Sequence, residues 1–392
     1  MNPRGEKKIV LLGMMSKMPV AGVVWQTLHY LVGFRRLGFD VYYVEAHGIT
    51  PTKHMRHATD DAATRAAAFI DRILTRFDFG NRWAFHALHE PEARCFGMDA
   101  ERLRQLYASA ELIINLHGGT VPLPEHSASG RLVYLETDPV ELQVQLYHNE
   151  RKAIDVLEPH AAFFTFGENY GRPDCLLPVS ERFRFQTTRQ PIVLDFWQQQ
   201  HNGTPPSAFT TIGNWQQQRQ ITFQGEIYHW SKHLEFCRFV DLPERTSVNL
   251  ELALCNYDDA ARLMLESKGW RVRDAMNMST DIDAYRRYIT ESRGEFTVAK
   301  DQNVRLRSGW FSDRSATYLA ASRPVVTQET GFSNILPTGR GLFAFSTLEE
   351  IEDALARINS SYERHCRAAH EIAHDFFDYR VVLSRLLSDI GL

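Results

Sequence analysis

Residues 304–345, VRLRSGWFSDRSATYLAASRPVVTQETGFSNILPTGRGLFAF, decide the fold, because they combine a capped helix, a buried strand and a glycine-bearing loop. Ser312 is a favourable N-cap, Asp313 suits the first helical turn, and ATYLAA supplies an apolar helix body. Pro324 ends that helix, and the β-branched residues after it begin a short strand. The order predicts an α/β unit whose strand ends at a ligand-binding edge of a sheet.

The start of this helix also has the composition of an anion site. Backbone amides at a helix N-terminus, serine hydroxyls and arginine side chains all favour a pyrophosphate. The strand that follows ends in polar residues suited to sugar or ribose hydroxyls. The same pattern fits a plain αβ unit with a well-capped helix. The candidate ligand-binding residues are Arg307, Ser308, Gly309, Ser312, Asp313, Arg314, Glu329, Thr330 and Gly331.

A resemblance to a known family rests on the run SGWFSDRSATYLAASRPVVTQETGF, followed by LPTGRGLFAFSTLEEIEDAL. These motifs resemble the carboxyl-terminal donor domain of bacterial GT-B glycosyltransferases of the family 1 type. The resemblance is clearest over 205–365 and weaker over 8–180. It implies two Rossmann-like, doubly wound α/β domains facing across a cleft. It also implies a nucleoside diphosphate sugar as donor substrate and no further cofactor, with Gly213 and Asn214 added to the donor-binding residues.

One departure from the family concerns its paired glutamates. Retaining enzymes of this fold usually carry two glutamates eight positions apart, the second on the helix before the strand that begins with proline and two valines. Aligning Pro324 puts Thr317 at the second place and Gly309 at the first. The chain therefore lacks the family's usual pair.

The domain organisation follows from length and from the resemblance. A chain of 392 residues is long for a single core. We predict an acceptor-binding domain over 1–180, an interdomain connection over 181–208 and a donor-binding domain over 209–369. By resemblance, residues 370–392 form a helix that packs back on the first domain.

The chain opens with a predicted βαβ unit. IVLLGMM at 9–15 is a buried strand, a loop and a helix follow, and VYYVEA at 41–46 is the next strand. The loop lacks the GxGxxG spacing of a dinucleotide site. By resemblance to the start of GT-B chains, we expect the first domain to bind the acceptor with Met18, Gly22 and Trp25.

Two residues at predicted strand ends are candidates for catalysis. His117 follows LIINL and would act as a general base on an acceptor hydroxyl, titrating close to neutral pH, or would only bond the loop backbone. Asp138 follows LVYLET, with Glu136 on the same strand face, and would orient the histidine or act as base. The competing role for Asp138, which we favour, is to cap the helix that starts near Pro139.

No metal site is predicted. Asp281 and Asp283 match the DxD pattern that binds metals in another glycosyltransferase fold, but capping of the helix AYRRYITES explains them better. The histidines and cysteines show neither zinc spacing nor HExxH. We therefore expect transfer without a divalent metal.

Composition limits the cellular setting and the partners. The net charge of −4 argues against general nucleic-acid binding. The five cysteines are scattered, which favours reduced thiols. The sequence has no run of eighteen apolar residues, and MNPRGEKK is not a signal-peptide core. These features predict a cytoplasmic protein without a transmembrane segment.

The leading hypothesis is a hexosyltransferase that moves a sugar from a nucleotide sugar to a small-molecule or glycan acceptor. One alternative is a nucleotide-sugar epimerase of the same fold, which uses the donor cleft without an acceptor. A second alternative is a binding or assembly protein that has kept the fold and lost catalysis. Donor hydrolysis, an epimerised product or binding without turnover would separate the three.

Overall fold

Residues 7–198 and 206–392 are described by the structure, which is a computed structural model. The first sheet has eight strands in the order β4-β3-β2-β1-β5-β6-β7-β8, all parallel except β4. Its strands are β1 Lys8–Leu12, β2 Asp40–Ala46, β3 Trp83–His86, β4 Cys95–Phe96, β5 Leu112–Leu116, β6 Leu132–Glu136, β7 Ala162–Thr165 and β8 Phe185–Thr187. Its helices are α1 Ala21–Arg36, α2 Ala62–Arg76, α3 Ala100–Ser109, α4 Pro124–Ser127, α5 Glu141–Tyr147 and α6 Arg151–Leu157.

The second sheet has six parallel strands in the order β13-β12-β9-β14-β15-β16. A two-stranded hairpin, β10 Gln220–Phe223 with β11 Glu226–His229, stands apart from it. The sheet strands are β9 Ala208–Asn214, β12 Asn249–Cys255, β13 Arg271–Asp274, β14 Gly294–Thr297, β15 Val325–Gln328 and β16 Leu342–Phe345. The helices are α7 His233–Arg238, α8 Leu242–Arg245, α9 Asp259–Ser267, α10 Met276–Ser279, α11 Ile282–Thr290, α12 Asp301–Arg305, α13 Asp313–Ala320, α14 Leu348–Ser360, α15 Tyr362–Ile372 and α16 Tyr379–Asp389.

Both sheets follow the doubly wound plan. The apolar runs that predicted strands become β1, β2, β5, β6 and β15, whose residues are mostly buried because helices cover both faces. The strand order reverses between β1 and β5 in the first sheet and between β9 and β14 in the second. Ligands in such sheets bind at the carboxyl ends of the strands beside this reversal. The α/β prediction is confirmed.

The last helix lies against the first domain, as predicted. Ile192 pairs with Asp378 in a β-bridge just before α16 begins. α16 then packs on α1 at Gly33, where an added Cβ would lie 2.6 Å from Leu383 Cδ1. The missing side chain lets the two helices approach closely. No helix in the described part of the chain combines the length and the apolar character that a bilayer crossing needs.

The predicted connection at 181–208 contains more regular structure than expected. Phe185, Gln186 and Thr187 form β8, which pairs with β7 at the edge of the first sheet. Three residues are too few for an alternating pattern to stand out among glutamines and prolines. Residues 199–205 of the connection lie outside the described residues.

The hairpin of β10 and β11 crosses to the first domain. Phe223 and Tyr228 are buried with Val140 and Val144 of the first domain. The Phe223 ring also meets the Tyr147 ring edge-on, with 5.2 Å between centroids. This hairpin, which was not predicted from the sequence, holds the two domains together beside the cleft.

Candidate functional site

The loop after β6 meets the second domain directly. Asp138 accepts hydrogen bonds from the Lys300 ammonium at 2.5 Å and from the indole N–H of Trp230. The Lys300 ammonium lies 3.8 Å from the centroid of the Trp230 ring, a cation–π contact. The carbonyl of Thr137 accepts from Trp310 Nε1 at 3.1 Å. The carboxyl ends of β6 and β14 therefore lie opposite each other across the domain boundary.

The helix-capping role favoured for Asp138 is wrong. α5 begins at Glu141, its N-cap is Val140, and no side chain caps it. The helix starts too far downstream for the Asp138 carboxylate to reach its first amides. Asp138 instead bridges the domains through one oxygen, and its other oxygen, Oδ1, has no hydrogen-bond partner among the described residues.

His117 follows β5 in a left-handed backbone conformation, with φ of 64°. Its Nδ1 lies 2.8 Å from Thr137 Oγ1, and its Nε2 is enclosed without a partner among the described residues. Burial lowers the pKa of His117 to about 4. The expected titration near neutral pH is therefore wrong. The imidazole is neutral at physiological pH, and the tautomer that donates from Nδ1 to Thr137 leaves the lone pair on Nε2.

Arg314 is buried and bonded within the second domain. Its Nε donates to Glu295 at 2.5 Å, Nη1 to the carbonyl of Ile212 at 2.6 Å, and Nη2 to Thr297 Oγ1 at 3.0 Å. These bonds join the carboxyl ends of β9 and β14. The guanidinium keeps two of its five N–H groups for a ligand, and its contact with a pyrophosphate stays a prediction.

Lys232 is the main candidate residue that was not predicted from the sequence. It is the N-cap of α7, 8% of it is exposed, and its Nζ donates to Thr297 Oγ1 at 3.3 Å. No described carboxylate forms an ion pair with it. Burial, together with the charge of Arg314, holds the pKa of Lys232 well below its usual range. A bound anion would relieve the cost of this buried, unpaired ammonium.

A sequence signal for Lys232 did exist. Cations are unfavourable at helix N-termini because the helix dipole is positive there. A lysine at the start of a helix that follows a strand is therefore anomalous unless an anion lies nearby. The same reasoning applies to Lys300, the N-cap of α12.

Arg307 pairs with the first domain. Its Nε and Nη2 donate to Asp174 Oδ2 at 2.9 and 2.7 Å. The guanidinium of Arg307 lowers the pKa of Asp174 to about 2. We expected Arg307 to hold a pyrophosphate, but in this structure two of its nitrogen atoms serve an interdomain ion pair.

Gly309 and Gly331 both press against Asn169 of the first domain. A Cβ on Gly309 would lie 2.1 Å from Asn169 N, and one on Gly331 would lie 2.6 Å from Asn169 Nδ2. Their φ angles are 79° and 95°, which also favour glycine. Gly309 stands at the family's first glutamate place, so the close packing explains why no glutamate fits there. Ser308 is buried beside it and donates to Asn303 Oδ1 at 2.8 Å.

The start of α13 faces the first domain. Ser312 is the N-cap and Asp313 the first helical residue, as predicted, although the Ser312 side chain makes no capping bond. Asp313 and Thr317 line a cavity of about 10 Å³ together with Gly22 and Tyr285, room for about one water molecule. Burial raises the pKa of Asp313. The helix N-terminus thus closes on α1 in this structure.

The remaining donor candidates lie at the ends of β9 and β15. Asn214 Oδ1 accepts from Asn256 Nδ2 at 2.7 Å, and a Cβ on Gly213 would be 4.0 Å from Arg314 Nη1. Glu329 accepts from the amide of Gly331, and Thr330 Oγ1 donates to the Trp310 carbonyl at 2.7 Å. Their bonds shape the loop edges, and their contacts with a donor stay predictions.

The three residues predicted to bind the acceptor lie in different environments. Met18 is half-buried and receives a contact from Lys53 Nζ at 3.2 Å. Gly22 lies in the first turn of α1 beside Asp313. Trp25 is buried, and its Nε1 donates to the carbonyl of Ile282 in the second domain at 3.0 Å. The enclosed Trp25 ring therefore holds the domains together instead of facing an acceptor.

Replacing Trp25 by phenylalanine is expected to lower the free energy of unfolding by about 1 kcal/mol, because one hydrogen bond is lost. The acceptor KM should not change. Trp270→Phe is a matched control, since Trp270 Nε1 donates to the Val240 carbonyl at 2.7 Å within the second domain. A tenfold higher acceptor KM in Trp25→Phe alone would restore the acceptor role.

Both carboxylates of the DxD sequence are bonded to other parts of the protein. Asp281 is the N-cap of α11 and accepts from the amide of Ala284 at 2.7 Å. Asp283 accepts from two nitrogen atoms of Arg76, each at 2.7 Å. Within residues 7–198 and 206–392 no cluster of three metal-ligating side chains occurs.

Comparison with solved structures identifies the fold. HepE from Anabaena, in complex with UDP and glucose, matches with a TM-score of 0.54 and 12% identity, covering 98% of this chain and all of HepE (100%). Sucrose-phosphate synthase from Thermosynechococcus elongatus matches with a TM-score of 0.55 and 9% identity, over 98% of this chain and 99% of that one.

An α-glucosyltransferase in complex with UDP and a 13-mer DNA matches with a TM-score of 0.57 and 11% identity, over 99% of this chain and 100% of that one. No family model matches, and no curated protein matches in sequence. The similarities cover nearly the whole of each chain, so the chain has the GT-B fold.

Proposed function

We propose that this chain is a glycosyltransferase of the hexosyl type, which moves a sugar from a nucleoside diphosphate donor to a small-molecule or glycan acceptor without a divalent metal. The observation that carries the proposal is the buried amine of Lys232, which forms no ion pair with any described residue and lies beside Arg314 and close to Lys300. These cations lie where the second sheet reverses its strand order, the usual ligand edge of such a sheet.

The chemistry requires a stabilised leaving group. Breaking the bond between a sugar and a diphosphate gives an oxocarbenium-like transition state, in which negative charge grows on the departing diphosphate. Lys232 and Lys300 would donate hydrogen bonds to the diphosphate oxygens. The nearby charge of Arg314 would add to the positive potential at the diphosphate. Because Lys300 is already paired with Asp138, the diphosphate reaches it only after that interdomain bond opens.

The first domain would supply the acceptor side. His117 has a neutral ring, and Thr137 fixes its Nδ1. Its Nε2 could take the proton of an acceptor hydroxyl while the oxygen attacks the sugar. Asp138 beside it could orient the acceptor once Lys300 has turned to the donor. We propose no nucleic-acid acceptor, since the net charge of −4 does not favour one.

The first test is binding of UDP, the nucleotide found in several fold neighbours. A ligand that binds only the folded protein raises its Tm. We expect UDP to raise Tm and UDP-sugars to raise it further, with transfer detected as a sugar added to acceptor. Epimerised nucleotide sugar as the only product, or no binding of any nucleoside diphosphate, would contradict the proposal.

Metal independence has its own test. Transfer should proceed in EDTA at the rate seen with Mg²⁺, because lysine and arginine side chains already offset the diphosphate charge. Mg²⁺ prefers phosphate oxygens together with one or two carboxylates, and Asp281 and Asp283 are engaged elsewhere. Loss of transfer in EDTA with full recovery on adding Mg²⁺ would show that a metal takes part.

A further inference from the structure

A cavity of about 400 Å³ opens between α2 of the first domain and the start of α11 in the second. This volume is within the range of small-molecule sites. Val24, Phe69, Ile73 and Ile282 form an apolar wall. The cavity also includes Pro19, which follows the proposed acceptor residue Met18 in the same loop. It is therefore an amphipathic space between the two domains, beside the loop that leads into α1.

The charged side chains that line the cavity have hydrogen-bond or ion-pair partners among the described residues, with the exception of Arg72. Arg76 is held by Asp283 through two bonds of 2.7 Å. Asp281 accepts from the amide of Ala284. Arg72 lies 5.5 Å from the centroid of the Phe69 ring, and within the described part of the chain no carboxylate forms an ion pair with it. The guanidinium of Arg72 is thus available for an anion next to an apolar wall.

A second cation, Lys53, lies beside the loop that carries Pro19. Lys53 contacts Met18 Sδ, and within residues 7–198 and 206–392 it has no carboxylate partner. The acidic residues on the opposite wall are held by Arg76 and by the start of α11, so they compete little for Arg72. The arrangement favours a ligand with an anionic group at the Arg72 side.

We propose that this cavity binds the acceptor, and that the acceptor joins an apolar body to an anionic group such as a phosphate or carboxylate. That the ligand is an acceptor rests on the proposed transferase function. That the cavity binds a ligand of this kind rests only on the residues that line it. The apolar body lies against Phe69 and Ile282, and the anion bonds the guanidinium of Arg72, whose planar donors match such oxygens.

The test uses phenyl phosphate as probe and benzyl alcohol as its neutral counterpart, with binding followed by NMR titration in saturating UDP. Phenyl phosphate should bind the parent at least tenfold more tightly than benzyl alcohol, and Arg72→Gln should remove that preference. Arg104→Gln is the matched control, because Arg104 is an exposed arginine on α3. It should bind both probes like the parent.

A filled-cavity variant tests the apolar wall. Thr280 is an exposed residue at the rim, so Thr280→Trp should weaken both probes tenfold or more without changing UDP affinity. Two results would overturn the proposal: equal binding of phenyl phosphate to the parent and Arg72→Gln, or complete displacement of the probe by UDP. Failure of UDP to bind any variant would instead contradict the proposed donor site.

Discussion

Lys232→Met is expected to weaken UDP binding about 100-fold, while the unliganded variant keeps a Tm no lower than that of the parent. A charge-assisted hydrogen bond to phosphate contributes about 1.5 to 3 kcal/mol, which corresponds to roughly 10- to 150-fold in affinity. Loss of the full positive charge next to a diphosphate places the effect at the upper end of that range.

The stability half of this prediction follows from the depressed pKa of Lys232. A lysine whose folded pKa is lowered destabilises the protein at every pH below the unfolded pKa, since the folded state then resists protonation. Methionine has a similar length and no charge, so it removes this cost. It forfeits only the 3.3 Å bond to Thr297. Replacing a residue that serves binding at a cost in stability is expected to raise stability while it lowers affinity.

The measurement is a calorimetric UDP titration together with a melting curve for each variant. Lys268→Met is the matched control, since Lys268 lies in the same domain but pairs with the surface residues Asp241 and Glu244. The control should bind UDP like the parent. Unchanged UDP affinity in Lys232→Met would remove Lys232 from the donor site, and a large fall in its Tm would show that the lysine is structural.

Much of the fold could be predicted because most strands and helices have a recognisable local sequence pattern. The apolar runs near residues 10, 44, 114 and 134 became β1, β2, β5 and β6, and α13 starts at the predicted N-cap. The elements that were missed are short or lack a local pattern. β8 has three residues, and the hairpin of β10 and β11 is stabilised by contacts with the first domain.

The candidate site was only partly readable, because the partner of a charged side chain is set by tertiary contacts. Arg307 and Arg314 were both expected at a pyrophosphate. The structure pairs them with Asp174 and Glu295, which lie 133 and 19 residues away in sequence. Local sequence gives no access to either partner. Burial likewise separates Lys232 from the exposed lysines, and burial depends on the whole fold.

The interdomain bonds explain how an acidic residue and two cations share one cleft. Asp138 pairs with Lys300 in this structure, which avoids a second buried amine without an ion pair beside Lys232. A diphosphate offers the same oxygens with more charge, so it is suited to replace the Asp138 carboxylate. Asp138 would then be free on the acceptor side, next to His117.

His117→Asn is expected to lower turnover by about 10²-fold or more while leaving UDP affinity unchanged, because a lost general base costs about this much. Asparagine is the most informative replacement. It tolerates the left-handed conformation at φ 64° and can keep a bond to Thr137, but it has no lone pair that titrates. Any loss of turnover then reports on proton transfer and not on a disturbed loop.

The pH dependence separates a base from a merely structural histidine. A general base must be neutral, and burial lowers the pKa of His117 to about 4, so kcat/KM of the parent should stay level above that pH and fall as the pH drops through it. The acid limb should vanish in His117→Asn. His374→Asn, at an exposed histidine, is the control and should keep both the rate and the limb. Full turnover of His117→Asn at saturating acceptor would exclude His117 from the mechanism, and an acid limb near pH 6.5 in the parent would point to a different, solvent-exposed base.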